Sequence, residues 1–258
     1  MDSIKLSSVI FRYGAEFTLD IDFLEIPAGR ITVIAGRNGA GKTTLLKLLA
    51  GIYTPFQGVI SIGGKDIKTE SALKRAGIFS YVPQSEEQEF GYTVWEITAM
   101  GRRPHGNALG ILDEHDVKSV KEALELCDMA DKKNREFKSL SGGEKRLALA
   151  ARAIAQDSLV MLLDEPSAFL DIGHQAKIFG ILKANRDKSK TVIMVTHDIN
   201  AAFDIADNVI LMSGGKVIAS GNTDLVLTGK NISGAYGFDK FGLADNHETG
   251  KKSIFLKI

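Results

Sequence analysis

Gly36-Arg37-Asn38-Gly39-Ala40-Gly41-Lys42-Thr43 follows the apolar run Ile31 to Ala35 and precedes the apolar Leu45 to Leu49. The order is strand, glycine-rich loop, helix, and it decides the fold. Glycines let the backbone turn its N–H groups inward, while the helix that follows presents the positive end of its dipole to an anion. A polyphosphate is the natural occupant, with Lys42 reaching the β- and γ-phosphates and the Thr43 hydroxyl ligating a magnesium ion. A phosphate loop of this kind belongs to an α/β protein with a buried parallel sheet.

Outward from the loop, the N-terminal side reads as antiparallel β. Phe17, Leu19, Ile21 and Phe23 alternate with Thr18, Asp20 and Asp22, the pattern of a half-buried strand. Ile4 to Phe11 is its partner, and Pro27-Ala28-Gly29 makes the turn into the loop strand. On the other side, Gly58 to Ile62 and Ile78 to Val82 are further strands, the second stopped by Pro83 and Gln84. From Thr93 to about Ala155 the periodicity becomes helical, as in Val117, Val120, Ala123, Leu124 and Cys127. Thr93 with Glu96, and Ser141 with Glu144, fit capping boxes and mark two helix starts. Leu159 to Leu163 and Thr191 to Val195 then read as buried strands separated by a helix over Ile172 to Asn185, a βαβ unit. Val209 to Met212 and Val217 to Ala219 form a hairpin through Gly214 and Gly215, and polar Asp245 to Lys252 reads as a loose loop. The expectation is one domain over residues 1–258, a phosphate-loop core with an N-terminal antiparallel β subdomain and a helical subdomain inserted at about 90–155.

Composition narrows the function. The 258 residues are 44% hydrophobic and 25% charged, an ordinary globular balance. Thirty-two basic and 32 acidic side chains cancel, so no overall field recruits nucleic acid. Cys127 is the only cysteine, and the histidines are scattered without zinc spacing, which argues against an internal disulfide and a structural metal. No apolar run approaches the roughly 20 residues that span a bilayer, and the start lacks a signal-peptide core, so the expected location is cytoplasmic.

Two further stretches carry chemistry. Asp164 and Glu165 follow directly on the strand Leu159 to Leu163, where an α/β sheet presents its ligand-binding edge. Asp164 suits a magnesium ion held through its water shell, and Glu165 suits the base that orients and deprotonates an attacking water. Leu140-Ser141-Gly142-Gly143-Glu144 opens a helix with exposed amides and a hydroxyl, a second anion site.

The phosphate loop, Gln84, the Leu-Ser-Gly-Gly stretch, the acidic pair, Asp171 and His197 occur in that order over nearly the whole chain. Together they resemble the nucleotide-binding subunit of an ABC transporter. The resemblance implies an ATPase using ATP and Mg2+, with two subunits packed head to tail so that one subunit's Ser141, Gly142 and Gly143 close on ATP held by the other's Gly36 to Thr44. It also implies that Tyr13 stacks on adenine, Gln84 touches the magnesium and its water, His197 contacts the γ-phosphate, and Asp171 lies at the dimer seam. Two residues depart from the family pattern: Glu144 stands where the family usually has Gln, and Phe169 where a small residue is common.

Within the family, Gly101-Arg102-Arg103-Pro104-His105 resembles the stretch found in ATPases of iron-siderophore, haem and cobalamin importers. This implies a permease on a separate chain, docking near Arg102 and Arg103, a substrate-binding protein acting indirectly, and a peripheral place on the inner face of the cell membrane. The alternative within the resemblance is a soluble ABC ATPase of an assembly complex, such as iron–sulfur cluster assembly.

Overall fold

The structure, a computed structural model, describes residues 2–14, 17–84, 91–105, 111–246 and 250–257. Residues 1–70 and 191–258 make one densely packed unit, and residues 71–190 make another.

The first unit begins with β1 (Ile4–Tyr13) and β2 (Phe17–Ile26), antiparallel, with Leu6 opposite Leu24 and Phe11 opposite Leu19. Alternation places Phe23 beside Leu19 and Ile21, but the structure exposes it. The inward face passes instead to Leu24 and Ile26. The cause lies across the ladder at Ser8, which adopts φ 48° where the register of β1 shifts against the next strand of its sheet. Such a bulge sends two successive residues outward and inverts the alternation beyond it.

Next come β3 (Ile31–Gly36), buried along its whole length, α1 (Lys42–Leu49), β4 (Gln57–Ile62) and β5 (Lys65–Asp66). The antiparallel sheet has the order β2-β1-β4-β5.

In the second unit, α2 (Ala72–Ile78) runs directly into β6 (Phe79–Val82), so Ile78 ends a helix rather than starting the strand. Then follow α3 (Val94–Ala99), α4 (Glu114–Leu126), α5 (Gly142–Ala155), β7 (Val160–Asp164) and α6 (Ile172–Asp187). Both expected capping boxes are present, and Asp113 with Asp116 adds a third at the start of α4. Between Thr93 and Ala155 the described residues form helices and a single isolated bridge, Thr93 with Glu136. β6 and β7 pair in parallel.

The chain returns to the first unit with β8 (Thr191–Thr196), α7 (Ile199–Ile205), β9 (Asn208–Ser213) and β10 (Lys216–Asn222). β3 pairs in parallel with both β8 and β9, and β10 closes the hairpin on β9. β3 and β8 are buried along their whole length because helices pack on them, α1 and α7 both touching the two strands. Two short helices, α8 (Thr223–Val226) and α9 (Gly229–Tyr236), precede the C-terminal strands.

Both ends of the stretch read as a loose loop lie in strands. β11 (Phe241–Asn246) pairs antiparallel with β12 (Lys251–Leu256), while residues 247–249 lie outside the described residues. Side chains of α7 and β12 fasten this hairpin. The Asn200 amide accepts from the Ile254 N–H at 2.8 Å and donates to its carbonyl at 3.4 Å, and Lys251 Nζ donates to the Asp204 carbonyl. Among the described residues no helix is long and apolar enough to cross a membrane.

Candidate functional site

The phosphate loop is built by close approach and by left-handed backbone. Gly36 adopts φ 150°, and a Cβ there would lie 2.2 Å from the Met212 carbonyl oxygen. Gly41, at φ 97°, caps α1, and its Cβ would lie 2.8 Å from the Phe17 ring. Only glycine meets both demands. Lys42 is buried, and its ammonium donates to the carbonyls of Gly36 at 2.8 Å and Arg37 at 3.0 Å, which centres the charge in the loop. Thr43 and Thr44 follow in the first turn of α1.

The same unit carries two more of the expected residues. His197 leaves the end of β8 with its side chain exposed, and its carbonyl accepts from the Tyr236 hydroxyl at 3.3 Å. Tyr236 belongs to none of the sequence motifs. Burial pushes its hydroxyl well above the ordinary range, against a hydrogen bond with the Gly36 backbone that pulls it down. It therefore joins the phosphate loop to His197. Tyr13 is 65% exposed at the end of β1, a ring open to stacking.

The second unit carries the acidic pair. Asp164 is buried at the end of β7 and accepts from the Tyr81 hydroxyl at 3.4 Å. Glu165 adopts φ 49°, an uncommon conformation for a residue with a side chain, and accepts from Gln84 Nε2 at 3.0 Å. Gln84 thus meets the carboxylate expected to act as base. Arg146, which likewise belongs to none of the sequence motifs, donates from Nη1 to the Glu165 carbonyl at 2.8 Å. Burial lowers the pKa of its guanidinium, and the charges of Glu165 and Asp164 raise it. Its position on α5, reaching a residue 19 positions later, is visible only in the fold.

Ser141 caps α5. Its hydroxyl accepts from the Glu144 N–H at 3.3 Å, and the Glu144 carboxylate accepts from the Ser141 N–H at 2.8 Å. That backbone N–H, with Lys132 3.3 Å away, holds the Glu144 carboxyl below its ordinary range. The departure from Gln is therefore neutralised locally. Asp171 caps α6, accepting from the backbone N–H of His174 at 2.9 Å and from its ring Nδ1 at 2.7 Å. Beside it, Phe169 stands 98% exposed at φ 60°.

One expectation is overturned. Arg102 is only 3% exposed, so it is no docking charge. Its Nε donates to Asp116 at 2.8 Å and its Nη1 to the Ala155 carbonyl at 2.7 Å, tying the turn after α3 to α4 and α5. Arg103 alone of the pair is exposed.

A phosphate loop in one unit, and a buried aspartate, a glutamate and a capped Leu-Ser-Gly-Gly helix in the other, define a class. The chain belongs to the ABC transporter family, whose profile matches residues 19–168, and it is an ATP-binding, ATP-hydrolysing subunit. The iron(3+)-hydroxamate import ATP-binding protein FhuC of Bacillus subtilis is 34% identical over 88% of this chain and 85% of its own length. The hemin import ATP-binding protein HmuV of Gloeobacter violaceus is 35% identical over 91% of this chain and 87% of its own. A solved chain described as belonging to a metal-chelate type ABC transporter, in an inward-facing conformation, superposes with a TM-score of 0.86 at 30% identity. That match covers 99% of this chain and 98% of the other.

Proposed function

We propose that this chain powers uptake of a metal chelate, of the iron-siderophore, haem or cobalamin type, through a permease on a separate chain. Two copies would pair head to tail at the inner face of the membrane, with a substrate-binding protein delivering cargo to the permease. The observation that carries the ATPase chemistry is the Gln84–Glu165 contact at 3.0 Å beside the buried Asp164. The contact fixes the orientation of the Glu165 carboxylate at a strand end, which supports its assignment as the base that takes a proton from water. The importer branch is supported by the names of the relatives and by the Gly101 to His105 stretch.

In this reading Gly36 to Thr44 bind the phosphates, with the Lys42 charge on the β- and γ-phosphates and Tyr13 on adenine. Glu165 takes the proton of the attacking water, and His197 contacts the γ-phosphate. Ser141, Gly142 and Gly143 of the second copy supply hydroxyl and N–H donors over the same phosphates, with Asp171 at the seam. The donor chemistry suits Mg2+, a hard cation that prefers oxygen. Asp164 offers a carboxylate, Thr43 a hydroxyl, and Gln84, whose amide nitrogen is turned to Glu165, offers its oxygen. When bound, the ion would neutralise charge on the transferring phosphoryl group.

Glu165→Gln tests the base. The variant should bind ATP, accumulate as a closed dimer and lose turnover, read by phosphate release and by light scattering. Ordinary hydrolysis would refute the assignment. Co-purification of the intact chain with an integral-membrane partner tests the importer reading, and isolation with soluble assembly proteins alone would refute it.

A further inference from the structure

His174 has no role in the function proposed above, yet it bridges two segments that do. The Asp171 carboxylate takes the backbone N–H of His174 on Oδ1 at 2.9 Å and the ring Nδ1–H on Oδ2 at 2.7 Å. Two bonds from one carboxylate fix both the helix start and the orientation of the imidazole. The ring then fills the space over Gly143. A Cβ on Gly143 would stand 2.7 Å from Cδ2, 2.8 Å from Cγ and 3.0 Å from Nδ1 of the imidazole. A side chain on Gly143 would therefore collide with the His174 ring. Two ion pairs brace the surroundings: Lys177 of α6 with Asp128 at 2.8 Å, and Glu144 of α5 with Lys132 at 3.3 Å.

We propose that His174 is a positioning residue for the composite site. Its ring, clamped by Asp171, holds the N-terminus of α5 in register with the Asp171 corner, so that Ser141 and Gly143 meet ATP on a second copy at the right place. The inference rests on the reading that these residues act in trans. Donors of this kind are sensitive to small displacements, since a shift of about 1 Å can cost roughly 100-fold in rate. A flat ring against a bare Cα is a contact that sets distance closely, and truncation leaves a void into which α5 can slide.

The test uses the full chain in the Glu165→Gln background, where ATP should accumulate the closed dimer. His174→Ala should raise the ATP concentration for half-maximal dimerisation roughly tenfold. Nucleotide affinity of the dilute single subunit should stay unchanged, because the phosphate loop lies in the other unit. His174→Phe keeps the ring and loses the Nδ1 donor, while His174→Asn keeps a donor and loses the ring. Partial recovery by each would assign both halves of the contact. Gly143→Ala should lower the melting temperature of the His174 protein and not that of His174→Ala, where the methyl has room. An unchanged ATP requirement in His174→Ala would overturn the proposal, and so would an equal loss of affinity in the dilute subunit, which would mark a general structural defect. If the Glu165→Gln parent itself forms no dimer with ATP, the trans reading fails and the proposal fails with it.

Discussion

Replacing Arg102 by Met keeps most of the buried volume and removes the charge from a site that water does not reach. Arg102 and Asp116 have side chains 3% and 5% exposed, with Nε 2.8 Å from the carboxylate. Burial tends to raise the Asp116 carboxyl, but hydrogen bonds from Arg102 and the Asp113 backbone hold it below its ordinary 3.8. Without the guanidinium, the buried carboxylate keeps the Asp113 N–H but loses its charge partner, a defect of about 3–5 kcal/mol. The Ala155 carbonyl, which accepts from Nη1 at 2.7 Å, loses that donor too and adds about 1 kcal/mol. For a chain of this size the sum corresponds to a melting point lower by roughly 10–20 °C. Thermal and urea unfolding followed by circular dichroism would read it. Arg102→Met with Asp116→Leu should recover at least half of the loss, because an ion pair replaced as a unit leaves no stranded charge. A single Arg102→Met variant within about 1 kcal/mol of the parent would refute the buried-pair account, since only exposed pairs are worth so little.

Other expectations follow from the same contacts. Glu144→Gln should keep ATPase activity, because Gln also accepts from the Ser141 N–H and completes the capping box. The Glu144 carboxyl lies below its ordinary 4.5 in the folded chain, so it contributes stability above that value and loses it as pH falls through the folded pKa. The Gln variant should therefore show a shallower acid limb in unfolding titrations, and an identical limb would count against the shift. The Cys127 thiol, pushed up to about 12 chiefly by burial and also by Asp128, should react with disulfide reagents only on unfolding. Rapid labelling of the native protein would contradict its burial.

What could be read from the sequence divides by the range of the interaction. The phosphate loop, the buried strand before it and the capping boxes are contiguous, so residue spacing alone expresses them. Arg102 is different. Two arginines before a proline look like the basic end of a helix, and nothing local reveals that one of them meets Asp116, 14 positions on, in the interior. Phe23 departs from its alternation for a related reason, since the bulge lies on the opposite strand at Ser8. The C-terminal hairpin is not legible in the sequence because its polar middle outweighs its strand signal, and its anchor, Asn200, lies 54 residues earlier. Gln84 and Glu165 each stand out in the sequence for their chemistry, but their contact spans 81 positions and belongs to the fold.

Asn200 has one more consequence. A two-stranded sheet has two open edges, each a template on which another chain can lay a strand. By occupying both main-chain groups of Ile254, the Asn200 amide interrupts β12's outer edge near its middle, where a foreign strand would need an unbroken row of partners. One side chain thus secures the C-terminal hairpin and breaks the row of edge groups on which another strand would pair.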